Sequence, residues 1–141
     1  MSDLFAMGQA VLAAQPFSLL LGAELTKFSP EGTELRLAVR DELKQQFGSV
    51  HGGVLCYLAD NAMTFAGALS LGATAVATSE IKINYIRPAL GGTLIARAVA
   101  LSAGRSLSVV RCEIYTLQDG DEKLCAAAQG TIVARDSNAK S

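Results

Sequence analysis

Apolar and polar positions alternate with two different periods along this chain, and the changes of period mark its elements. Residues 3–14 place Leu4, Phe5, Met7, Val11 and Leu12 at helical spacing, which predicts a short N-terminal helix. Gln15-Pro16 ends it, because a residue preceding proline is pushed out of the helical region. Residues 23–28 read as a strand and Ser29-Pro30-Glu31-Gly32 as a turn. Over residues 33–40 the period is two: Leu35, Leu37 and Val39 point one way, Glu34, Arg36 and Arg40 the other. Residues 51–71 return to helical periodicity and stop at Gly72. Four extended runs follow, at 75–86, 93–102, 106–117 and 123–135, separated by turn-forming stretches rich in Gly, Pro and Asp.

Hairpin-length connections between the last runs predict an antiparallel sheet. The long helix must bury an apolar stripe, and that sheet is the large surface available to it. The expected fold is therefore α+β, an antiparallel sheet around one long central helix, in a single domain over residues 1–135. Residues 136–141 read as a disordered tail.

At about 100° per residue, Leu55, Leu58, Ala62, Phe65 and Leu69 form the stripe that packs on the sheet. Asp60 lies directly opposite. It is the one formal charge between Gln45 and Ser79. Its face also carries Cys56, Tyr57, Asn61, Thr64 and Gly67, a set too neutral for an ordinary solvated helix face. Such a face fits a partner subunit or a ligand cleft, and the alternative is a carboxylate that is simply solvated. A covered carboxylate can act as a general base or as a nucleophile.

Composition sharpens this picture. Half of the 141 residues are hydrophobic and 18% are charged, which is apolar for a soluble monomer and points to subunit interfaces. A net charge of −1 without a Lys/Arg run excludes general nucleic-acid binding, though a few arginines suffice for a ligand bearing phosphates. Cys56, Cys112 and Cys125 have neither disulfide-framework nor metal-ligand spacing and read as buried thiols of a reducing compartment. The N-terminus has no basic segment before its apolar residues, so no signal peptide is expected and a cytoplasmic location is. Residues 54–71 could mimic a membrane span, but Asp60, Asn61 and Thr64 near the middle argue against one.

Gly52 and Gly53 stand where a helix begins, with free backbone N–H groups and the positive end of the dipole. Glycine lets a ligand atom approach that backbone, and N–H groups aimed at a carbonyl oxygen form an oxyanion hole. A plain glycine turn into the helix is the alternative. His51, the single histidine, fits a helix-entry role as well as that of a base. Gly-x-Ser-x-Gly, P-loop and dinucleotide fingerprints are absent from the sequence.

Phe47-Gly48-Ser49-Val50-His51-Gly52-Gly53 and Leu58-Ala59-Asp60-Asn61-Ala62, with this order of elements, resemble the hotdog-fold acyl-CoA thioesterases of the phenylacetate-pathway and hydroxybenzoyl-CoA types. Asn84-Tyr85-Ile86-Arg87-Pro88 and Gly104-Arg105-Ser106-Leu107 look like further family features. The resemblance implies hydrolysis of an acyl- or aryl-CoA thioester to acid and CoA, without cofactor or metal. It implies a homodimer with sheets joined edge to edge, dimers pairing into tetramers, and an active site at the dimer interface. Gly52 matches the glycine whose N–H polarises the thioester carbonyl, with Gly53 beside it. Asp60 matches the catalytic carboxylate, supplied by the facing subunit. Gln45 matches a thioester-binding amide, Thr64 and Thr78 match positions where a hydroxyl assists, and His51 matches a helix-entry histidine. Arg87, Arg105 and Arg111 are candidate CoA-phosphate ligands. An enoyl-CoA hydratase or dehydratase, or a non-catalytic acyl-CoA-binding module, would use the same fold.

Overall fold

The computed structural model describes residues 2–135, so the expected tail at 136–141 lies outside it. Helix α1 (Ser2–Ala13) is followed by a second helix, α2 (Pro16–Leu21), and by strands β1 (Glu24–Ser29) and β2 (Gly32–Ala38). Helix α3 (Gly52–Leu71) leads to β3 (Val76–Tyr85), β4 (Thr93–Ala103), β5 (Leu107–Gln118) and β6 (Asp121–Ala134). The six strands form one antiparallel sheet in the order β1-β2-β4-β5-β6-β3. The sheet curls around α3, which packs on all of its strands. This is the hotdog architecture expected from the chain.

Burial drives that wrapping. Leu55, Leu58, Ala59, Ala62, Met63 and Phe65 of α3 are buried against Leu35, Leu37, Leu94, Val110, Ile114 and Ile132 of the sheet. Each of the Leu, Val, Ile, Met and Phe side chains among them contributes roughly 1.5–3 kcal/mol when taken out of water. Helix α3 is long and apolar enough to cross a membrane, yet its apolar residues are spent on this core.

Three expectations need correction, and one polar position proves covered. Pro16 does not merely end α1; it occupies the first turn of α2, where its missing N–H costs nothing. Residue 40 is not in β2, because the Arg40 guanidinium leaves the strand to bind the carbonyls of Leu20 and Leu21 at 2.8 and 2.7 Å, closing the end of α2. Glu34 does face away from Leu35 and Leu37, but Thr26, Arg36 and Arg97 fold over it on the outer face of the sheet and leave it 5% exposed. Gly67 is not on an open face either. A Cβ there would come within 2.7 Å of Ile132, so the missing side chain lets α3 approach β6.

The wrap covers part of the Asp60 face as well, through a bulge. β3 slips by one residue between Thr78 and Glu80. Beyond it Ile81 and Ile83 turn toward the core. A regular strand would turn Thr78 away from the side they occupy; the extra residue inverts the alternation and brings Val76 and Thr78 onto it.

Candidate active site

The start of α3 can be audited donor by donor. His51 N–H is bound to the Leu43 carbonyl at 2.8 Å, Gly53 N–H to His51 Nδ1 at 2.8 Å, and Val54 N–H to the His51 carbonyl at 2.9 Å. Gly52 N–H has no acceptor among the described residues. An open N–H at the positive end of a twenty-residue helix is built to receive a negatively charged or polarised oxygen.

His51 is thereby explained as the N-cap. Its Nδ1 accepts from Gly53, which leaves the ring proton on Nε2 in the neutral form. Gln45 is bound within the preceding loop: its Nε2 donates to Ser49 Oγ at 2.7 Å and its Oε1 accepts from Phe47 N–H. One amide N–H of Gln45 remains. The loop that delivers the chain into α3 is thus stapled on both sides of Gly48.

Tyr85, at the end of β3, is a site neighbour that periodicity did not flag. Its hydroxyl donates to the Gly52 carbonyl at 3.1 Å, and its ring lies 3.4 Å from where a Gly52 Cβ would stand. Partial burial, then the nearby Cys56 thiol, holds its phenol above the usual value, so it stays a neutral donor. The usable signal was an aromatic residue at the end of an extended run, directly before Ile-Arg-Pro. The other two cysteines are chemically quiet: burial pushes Cys112 up to about 12 and Cys125 up to about 11.

Two turns further along α3, Asp60 is half-buried. Thr78 Oγ1 donates to Asp60 Oδ1 at 2.6 Å. Thr64 Oγ1 donates to the Asp60 carbonyl at 2.7 Å and stands 3.3 Å from Thr78 Oγ1. Thr78 therefore binds the carboxylate directly, and Thr64 stands beside Thr78 while bound to the Asp60 backbone. Asp60 Oδ2 has no protein partner among the described residues, so one oxygen is oriented and the other is open.

Eight residues separate Gly52 from Asp60, an axial rise of about 12 Å. One carbonyl cannot touch the open N–H and the open carboxylate oxygen of the same chain, since each contact needs about 3 Å. The arginines are also dispersed. Arg87 follows β3 at the Gly52 end, exposed, with Nη1 3.4 Å from the Leu124 carbonyl. Arg105 sits exposed on the β4–β5 turn, which lies at the opposite end, because Leu107 pairs with Val133 and Val76 with Ala134. Arg111 is exposed on β5 between buried Val110 and Cys112, hence on the outer face of the sheet.

Residues 47–123 match the model of the Thioesterase superfamily. Among solved structures, a thioesterase family protein from Silicibacter pomeroyi superposes with a TM-score of 0.82 at 30% identity, covering 92% of this chain and 96% of its own. A thioesterase from Haemophilus influenzae superposes with a TM-score of 0.78 at 31% identity, covering 87% of this chain and 85% of its own. By sequence, a 1,4-dihydroxy-2-naphthoyl-CoA hydrolase from Listeria monocytogenes is 28% identical over 82% of this chain and 92% of its own.

Proposed function

This chain belongs to the thioesterase superfamily, and on that premise we propose that it hydrolyses acyl-CoA thioesters at a site built by two subunits. The observation that carries the proposal is the pairing of an open Gly52 N–H with an open Asp60 oxygen about 12 Å further along the same helix. Each is half of a thioester-cleaving site, and a second copy of the chain would supply the missing half.

In this reading the thioester oxygen sits against Gly52 N–H of one subunit. As the carbonyl carbon becomes tetrahedral, negative charge gathers on that oxygen, and the N–H and helix dipole stabilise it. Asp60 of the other subunit either takes a proton from a water that attacks the carbon, or attacks the carbon itself to give a mixed anhydride that water then opens. In both courses the carbon–sulfur bond breaks, CoA leaves as the thiol, and the acid takes the oxygen of water. Thr78 and Thr64 orient the carboxylate, and Gln45 and Gly53 line the thioester. No step requires a cofactor. Arg87, Arg105 and Arg111 are the candidate cations for the CoA phosphates.

The free edge of β3, the end strand of the sheet, is the edge we assign to the dimer. Phe47 (86% exposed), Leu90, Tyr85 and Ile86 are apolar side chains left uncovered near the helix start, as expected of surface that another subunit covers. We further expect dimers to pair into tetramers. Three free cysteines suit a cytoplasmic location. The hydratase alternative gains nothing from His51, whose Nδ1 is committed to capping.

Thiol release from a panel of acyl-CoA thioesters tests the reading. Turnover by the native chain and loss of about 100-fold or more in Asp60→Asn are expected, the usual scale for a positioned acid–base group. Equal turnover by Asp60→Asn with every thioester would overturn it.

A further inference from the structure

We infer that the acyl group is an unbranched hydrocarbon chain of medium length, housed in a slot between α1 and α3; this deepens the thioesterase reading above and rests on it. The slot is a cavity of about 320 Å³. It exists because α1 does not pack on α3. Helix α1 rests instead on β1, with Gly8 so close to Leu25 and Phe28 that a Cβ would come within 2.7 Å of both. The gap beside it is left unfilled.

The walls show the shape of the slot. On one side they are Leu4, Met7 and Val11 of α1 with Gln15 just past its end; on the other they are Asn61, Thr64 and Ala68 of α3 with its C-cap Gly72. Both sets step by three or four residues, so the slot follows the two helices for about three turns, roughly 17 Å. Its depth is closed by Phe28 and Phe65, whose rings meet edge to face at 5.4 Å. A long, narrow, apolar space suits a chain better than a fused ring system. At roughly 30 Å³ for a water-sized group, the volume holds about ten such groups.

Position ties the slot to the chemistry. Its Asn61–Thr64 end is next to Asp60 in the helix, and Thr64 Oγ1 is 3.3 Å from the Thr78 hydroxyl that holds Asp60 Oδ1. The polar groups at that end are held in place: Asn61 Nδ2 donates to Gln15 Oε1 at 3.0 Å, to Tyr57 Oη at 3.1 Å and to Ser18 Oγ at 3.3 Å. This network pins the α1–α2 junction to α3 at that end of the slot. A thioester carbonyl beside Asp60 can therefore send its hydrocarbon tail directly into the slot, toward Gly72.

The test is titration calorimetry of the native chain with non-hydrolysable CoA thioethers carrying C2, C4, C6, C8, C10 and C12 chains, alongside thiol release from the matching thioesters. Affinity is expected to rise about threefold to fourfold per methylene up to C8–C10 and then to level off. Ala68→Phe, which fills the slot from α3, should reduce the preference for C8 over C2 by tenfold or more in both assays. Val11→Trp, on the exposed side of α1, should do the same without disturbing the core. A flat length profile in the native chain, or an unchanged profile in both variants, overturns the inference. Length-dependent thioether binding without thiol release would leave the slot standing and sink the hydrolase reading; thiol release with no length dependence would do the reverse. Stronger binding of a benzyl or naphthylmethyl CoA thioether than of the C8 thioether would also contradict it.

Discussion

Thr78 Oγ1 donates a 2.6 Å hydrogen bond to Asp60 Oδ1 across the gap between β3 and α3. The bond exists because a one-residue bulge inverts the alternation of β3 just there. It leaves one carboxylate oxygen fixed and the other free to act.

Removing that hydroxyl should affect rate before stability. Thr78→Val keeps the shape of a half-buried side chain but loses a bond to a charged acceptor, worth about 1.5–3 kcal/mol. A fall in kcat of about 10- to 100-fold is expected, with KM little changed and Tm lower by several degrees. Thr78→Ser should recover most of the loss. Steady-state kinetics on the three proteins checks this, and an unaffected kcat in Thr78→Val would count against an orienting role.

Gly52→Ala separates folding from function. The added Cβ would meet only the Tyr85 ring, at 3.4 Å, an ordinary contact. Alanine also favours the helix by up to about 1 kcal/mol over glycine. The variant should therefore be as stable as the native chain or more so. A methyl group beside the open N–H should nevertheless displace a bound carbonyl, and a loss near 100-fold is the scale of about 1 Å of misplacement. Urea unfolding together with thiol release reads both effects.

Ser18 is 1% exposed and joins three side chains: it accepts from Tyr57 at 2.5 Å and from Asn61 at 3.3 Å, and donates to Gln15 at 2.6 Å. Ser18→Ala leaves those groups short of a partner in a covered position. A destabilisation of about 1–3 kcal/mol is expected, measurable as a lower urea midpoint with an unchanged slope.

Acid should weaken the fold through Glu34. Burial alone would raise its carboxyl, but hydrogen bonds from Thr26, Arg97 and Arg36 outweigh burial and hold it below the usual value. A carboxylate lowered in the folded state binds its proton less readily there than in the unfolded chain. Its contribution is complete above the unfolded value, about 4.3, and is lost as pH falls through the folded one. Stability should decline below about pH 5, and Glu34→Gln should flatten that decline. Denaturant titrations from pH 7 down to 3 compare the two slopes.

Much of this architecture is visible in the pattern of residues. The α3 stripe is regular enough to define the core, and turn-rich stretches separate the strands. Asp60 stood out because a single charge faces a side of the helix with no other. What stayed hidden depends on residues far apart in the chain. Glu34 alternates like a surface residue, yet Thr26, Arg36 and Arg97, the last 63 residues away, cover it. Thr78 belongs to the site through a bulge that leaves no mark in the periodicity. Pro16 carries two meanings, helix end and helix start, and both hold, since α1 stops at Ala13 and α2 begins at Pro16. The slot beside α1 arises from a helix resting on β1, which no local pattern records.

The shared site can be tested by mixing subunits. Asp60→Asn and Gly52→Ala chains, each impaired alone, are unfolded together, refolded at equal concentrations and assayed for thiol release. If Gly52 of one subunit works with Asp60 of the other, half of the dimers contain one intact site, and activity should return to about a quarter of the native value. If both groups worked within one chain, no mixed dimer would hold an intact site. Activity no greater than the average of the two parent variants would contradict the account.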